Sequence, residues 1–111
     1  MREACEQAAA AVGTTCEFTS DIAYASFMHD DSAPVVQLAS RALATMGLTA
    51  KTFHSGGGSD ANIFNGMGIP TVNLAVGYKE IHTVHEHIAI SDLVKTAELV
   101  VAIVQETTRM N

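Results

Sequence analysis

Two stretches of this chain carry residues whose types and spacing could do chemistry. The first is "HSGGGSDANIFN", His54 to Asn65. Gly56, Gly57 and Gly58 run directly into Ser59, Asp60 and Asn62, and Ser59 or Asp60 is placed to cap a short helix through Asn65. Backbone amides beside a helix start attract anions, through unpaired N–H groups and the helix dipole. A phosphate, a substrate carboxylate or a peptide backbone would each suit the place. A tight strand-to-helix connection with no ligand uses the same residues. The phosphate-loop pattern G-x-x-x-x-G-K-[ST] and the dinucleotide pattern G-x-G-x-x-G are both absent.

The second stretch is "KEIHTVHEHIAI", Lys79 to Ile90, with His82, His85 and His87. A neutral imidazole is a good zinc ligand, and H-x-x-H-x-H is one way to gather several. The helical zinc motif H-E-x-x-H is missing, and exposed histidines near a helix start are common. Thr83-Val84-His85-Glu86 fits the T-x-x-E capping box, which would lock the backbone directly after His82. A ligand on a locked backbone is better placed than one on a loose loop. His82 is therefore the candidate metal residue, with His85 and His87 read as surface residues and Glu86 as a cap rather than a base. No Ser-His-Asp or Cys-His arrangement is indicated, and Ser59 lies on no G-x-S-x-G elbow.

The elements that must position these stretches follow from periodicity. Arg2 to Val12 has helical spacing and Gly13 stops it. Cys16, Phe18, Ile22 and Tyr24 share one face at a period of two, which predicts a half-buried strand. Asp31 or Ser32 caps a second helix with Pro34 in its first turn and Gly47 at its end. A short strand over residues 50–54 leads to the glycines, and Gly66 and Gly68 close the helix after them. "TVNLAV" reads as a strand buried in a parallel sheet. Ser91 caps a last helix, 92–109, whose broad apolar stripe predicts deep burial. Helix, strand, helix, strand, helix after residue 32 is the order of an α/β layer. Two or three strands make a thin sheet, so other structure should cover the last helix and "TVNLAV".

Composition bounds the rest. The chain has 111 residues, 48% of them apolar, and a formal net charge of −6. With no cluster of Lys and Arg, neither nucleic acid nor an anionic membrane surface is a natural partner. No apolar run reaches the ~20 residues of a bilayer span, and "MREACEQAAAAVG" lacks the form of a signal peptide. Cys5 and Cys16 form no C-x-x-C pair and read as reduced thiols of a cytoplasmic protein.

Taken together, "GGGSDANIFNGMGIPTVNLAVGYKEIHTVHEHIAISDLVKTAELV" resembles the C-terminal part of the zinc exopeptidases related to peptidase T, the tripeptide aminopeptidase. That group includes carboxypeptidase G and the aminoacylase-type deacylases. The likeness extends over about Pro34 to Ile103, and the upstream "MREACEQAAAAVG…CEFTSDIAYASF" resembles the end of the family's smaller lid, or dimerisation, domain. It implies residues 1–30 as the end of a lid or dimerisation domain with α+β structure. It implies residues 31–111 as the C-terminal segment of a mostly parallel-sheet catalytic domain with helices on its faces. The implied activity is hydrolysis of short peptides by a water activated between two zinc ions. His82, in "IHT-x-x-E", matches the last zinc ligand, and Gly56, Gly57, Gly58, Ser59, Asp60 and Asn62 match the loop beside the peptide. The family's other ligands and its base precede the lid. The resemblance therefore implies one ligand of two zinc sites here, well under half of a family member, and no activity in the isolated chain. The exposed apolar faces imply a homo-oligomer or association with the missing N-terminal portion. The competing reading is a binding or assembly module that keeps the fold without the catalysis; a third is a small phosphate-binding domain using Gly56 to Gly58.

Overall fold

The computed structural model describes residues 1–109. Its elements are α1 (Arg2–Ala11), α2 (Pro34–Thr45), α3 (Asp60–Gly66) and α4 (Ile90–Arg109). The helices fall where the apolar spacing places them, because every hydrogen bond of a helix closes within four residues of its donor. Three of the four end alike. Gly13, Gly47 and Gly68 adopt φ of +70°, +71° and +79°. The next amide in each case reaches back five residues: Thr14 to Ala9, Leu48 to Leu43 and Ile69 to Phe64. This is the Schellman closure, and glycine enters that left-handed position without a steric penalty.

The starts differ more from expectation. α2 is preceded by Ala33 as its N-cap, with no side-chain cap and Pro34 at its first position. Asp31 instead accepts at its carbonyl from Gln37 Nε2 at 2.7 Å. Proline needs no amide partner at a helix start, so neither Asp31 nor Ser32 is required there. α4 begins at Ile90, which puts Ser91 inside its first turn rather than at its cap.

Among the described residues there is no strand. The segments expected to be strands, 16–24, 50–54 and "TVNLAV", have no regular secondary structure and carry no ladder, and pairing among the described residues is limited to a single antiparallel bridge between Lys79 and His87. The α/β expectation is thus met in its helices and not in its sheet. A strand exists only with a partner whose N–H and C=O groups face its own, and these segments have none among the described residues.

The core is correspondingly thin. α2 packs against α4, burying Val36, Ala39 and Ala42 from one helix and Leu99 from the other. The segment from Pro70 to Leu74 runs beside this pair, with an open gap of about 200 Å³ left between them and lined by Val35, Leu38 and Ile103. The expectation of a deeply buried last helix fails: Leu93, Val94, Val100, Val101 and Val104 are all at least half exposed. One facing helix covers only one side of so broad a stripe. α1 buries no residue. Its link to the following segment is Arg2, whose guanidinium lies 5.1 Å from the Phe18 ring centre. The radius of gyration is 20.1 Å, against about 13 Å for a compact domain of this length.

Candidate functional site

The glycine stretch is built into the start of α3. Ser59 is the N-cap: its Oγ accepts from Ala61 N at 3.2 Å, while Asn62 Oδ1 accepts from Ser59 N at 3.0 Å. This is a reciprocal capping box with Asn62 in the place usually held by Glu or Gln. Asn62 N also donates to the Ser59 carbonyl. The amides of Ser59, Ala61 and Asn62 are therefore already engaged, and Gly57 N turns to Ser55 Oγ at 3.4 Å. A phosphate at this point would have few free donors, and α3 spans only 7 residues. The third of the expected readings, a phosphate loop, is left with the amides of Gly56, Gly58 and Asp60 rather than the whole stretch.

Two neighbouring segments fasten this cap. On one side Asn73 Nδ2 donates to Ser59 Oγ at 2.9 Å, which ties the "TVNLAV" segment to the N-cap. On the other side Asn62 Nδ2 donates to the Ala25 carbonyl at 2.9 Å. The Tyr24 ring lies directly on Gly58, so that a Cβ there would overlap its phenol. Gly58 is thus glycine because of close approach, and its φ is not left-handed.

His82 sits in a different unit, a turn over residues 79–87. Lys79 N donates to the His87 carbonyl at 2.8 Å and His87 N returns to Lys79 O at 3.2 Å, closing the turn. Inside it, Glu80 and His82 both hold left-handed conformations, with φ of +53° and +62°. Thr83 Oγ1 accepts from His85 N at 3.1 Å and donates to the Glu80 carbonyl at 2.7 Å. Glu86 Oε2 accepts from His82 N at 2.8 Å. The T-x-x-E expectation needs correction in one respect. Glu86 reaches one residue beyond Thr83, and no helix starts there, because the left-handed residues fold the chain into a tight turn instead. The consequence expected of the motif, a backbone fastened at His82, is present.

His82, His85 and His87 are exposed, and His87 Nδ1 lies 2.8 Å from the His85 carbonyl. Among the described residues no three of His, Cys, Asp or Glu converge where a metal ion could sit. Among the described residues His82 is a single donor, with no second and third ligand beside it to complete a metal site.

Sequence reasoning missed Tyr24, His29, Asn65 and Asn73. Asn65, near the end of α3, donates from Nδ2 to the carbonyls of Ala61 and Thr71, each at 2.8 Å. Its Oδ1 accepts from Thr71 N at 3.2 Å and lies 2.8 Å from His29 Nε2. The signal available for Asn73 was a polar side chain within an apolar strand-like run; His29, Asn65 and Tyr24 gave none.

Comparison with known proteins decides the lineage. The profile of Peptidase family M20/M25/M40 matches residues 2–106. The chain belongs to this family. It is similar to YqjE of Bacillus subtilis (strain 168), described as an uncharacterized protein, with 49% identity over 98% of the chain and 29% of that protein. It is 32% identical to Peptidase T of Geobacillus thermodenitrificans over 64% of the chain and 17% of that protein. Among solved structures, aminopeptidase PepT from Bacillus cereus ATCC 10987 superposes with a TM-score of 0.81 at 48% identity, covering 96% of the chain and 29% of that structure. The chain thus spans less than a third of the length of these relatives.

Proposed function

We propose that these residues are the C-terminal segment of an aminotripeptidase-like metallopeptidase that hydrolyses short peptides. The observation that carries the reading is the likeness to aminopeptidase PepT, since 48% identity extends over 96% of the chain. In this reading residues 1–30 end a lid or dimerisation domain, and residues 31–111 complete a catalytic domain. Two features support that division: α1 buries none of its residues, and the packed pair α2 and α4 lies after residue 31. The unpaired segments 50–54 and "TVNLAV" would be strands of a mostly parallel sheet whose other strands lie in the remainder of a PepT-length protein. That sheet would also cover the exposed stripe of α4. The partners are accordingly the rest of such a protein or a second copy, together with a short peptide substrate, and the compartment is the cytoplasm.

His82 would be one zinc ligand, held by Glu86 through its own backbone amide. Gly56, Gly57, Gly58, Ser59, Asp60 and Asn62 would line the peptide. Because the remaining donors are not among these residues, no catalytic step is assigned to them, and the 111 residues alone should not hydrolyse peptides.

The test is direct. Zinc titration of the chain should give weak binding of one ion, with no tripeptide hydrolysis. Fused to the remaining part of the PepT chain, it should release the first residue of a tripeptide in a zinc-dependent way, and His82→Ala should abolish that release. Tight binding of two zinc ions by the isolated chain, or full activity of the His82→Ala fusion, would overturn the reading. A fusion that binds zinc and peptide without hydrolysis would favour the binding module instead.

A further inference from the structure

Residues 24–29 form a strap that crosses α3 and is fastened at both ends. At one end Asn62 Nδ2 donates to the Ala25 carbonyl at 2.9 Å. At the other, His29 Nε2 lies 2.8 Å from Asn65 Oδ1, and the Phe27 ring leans on the His29 imidazole with ring centres 5.7 Å apart. Beside the first fastening, Tyr24 rests on Gly58.

The direction of the His29 bond can be settled from its neighbours. Thr71 N–H donates to Asn65 Oδ1, and Asn65 Nδ2 faces two carbonyls, Ala61 and Thr71. The amide of Asn65 is thereby fixed in one orientation, because the flipped form would set its NH2 against an N–H and its oxygen against two carbonyls. With oxygen facing His29, the Nε2 of His29 must carry the proton.

We propose that His29 is a positioning residue for the glycine loop: by donating from Nε2 to Asn65 it holds the strap across α3, and the strap keeps Tyr24 on Gly58. The Gly56–Gly58 backbone is then held from outside the loop. The reach is long in sequence, since His29 and Asn65 are 36 residues apart. Releasing His29 frees one end of the strap, so that Tyr24 is held near Gly58 by the Ala25–Asn62 bond alone and its ring shifts on the glycine. That the loop so held is a peptide-binding wall rests on the peptidase reading. The latch itself does not, and the experiment below reads the latch without hydrolysis, so either can fail alone.

The experiment is NMR of the full chain with His29→Ala, His29→Gln and Tyr24→Leu. Imidazole ¹⁵N shifts of the unaltered protein should show neutral His29 protonated at Nε2. The Gly58 amide resonance, displaced by the Tyr24 ring, should move the same way in His29→Ala as in Tyr24→Leu. The amides of Ser59 and Ala61 should exchange about fivefold faster in His29→Ala, the size expected for one ordinary hydrogen bond. His29→Gln, whose amide nitrogen reaches the place of Nε2, should restore both signals. A neutral His29 protonated at Nδ1 would overturn the proposal. So would a Gly58 resonance unmoved in His29→Ala, or His29→Gln behaving like His29→Ala. Equal loss of protection at Ala39 and Leu99 would also overturn it, because it would mean a general structural role.

Discussion

The left-handed conformation of His82 offers a test in which strain and side-chain chemistry separate. An L-residue in that region costs roughly 1–2 kcal/mol relative to its right-handed form, and φ of His82 is +62°. Glycine escapes the steric term, while its greater freedom in the unfolded chain offsets about 0.4–1 kcal/mol of the relief. His82→Gly should therefore hold the 79–87 turn more firmly than His82→Ala by about 0.5–1 kcal/mol. At an ordinary position the order is reversed, with alanine the more stabilising by about the same amount. Both substitutions keep the backbone amide that Glu86 accepts from, so that contact cancels in the comparison. The assay is amide exchange at Lys79 and His87, whose mutual hydrogen bonds close the turn. A difference of ~1 kcal/mol is about fivefold in exchange rate. Slower exchange in His82→Gly than in His82→Ala is expected; equal or faster exchange would refute the strain argument. In a PepT-length fusion both substitutions should remove peptide hydrolysis, although one of them stabilises the turn. Stability and function would then oppose each other at this residue.

Further outcomes follow from the same geometry. Glu86→Ala should loosen the turn by about 1.5 kcal/mol, as for a hydrogen bond to a charged group, and Glu86→Gln by less, read again from exchange at Lys79 and His87. Ser59→Ala removes both the N-cap of α3 and the bond from Asn73; it should cost about 1 kcal/mol, seen as faster exchange at Ala61. Leu99→Ala should destabilise the α2–α4 pair by roughly 2–3 kcal/mol, near the lower end for buried leucines because the core is thin, measured by urea unfolding followed by circular dichroism. An unchanged unfolding midpoint would mean that the α2–α4 contact does not hold the chain together.

Several elements could be read from the sequence alone. The helices lie where apolar residues recur at helical spacing, and Gly13, Gly47 and Gly68 stand at the observed ends. The cap at Ser59 was one of two residues named for it, and the family likeness rests on motifs visible in the unaligned chain. These features share a physical cause. Their hydrogen bonds and steric preferences close within a few neighbouring residues, so the local sequence contains all the partners involved.

What only the tertiary structure decided depends on partners far along the chain or outside it. The apolar runs over 16–24 and "TVNLAV" have the composition of strands, yet they form none here, because a ladder needs a second backbone that periodicity cannot supply. The stripe of α4 is wide enough for full burial, yet among the described residues α2 is the one helix packed on it and much of the stripe stays exposed. The left-handed turn that presents His82 was hidden, because the residues there are not glycines and the strain is balanced by Glu86 and the Lys79–His87 bridge. Asn65 gave no sign of its role, since its meaning comes from His29 and Thr71, which meet it only in the folded chain. Sequence thus determined which segments are helical and which residues could bind, through local bonds. The fold decided which backbones are held, and by whom, because those bonds join residues that the chain keeps far apart.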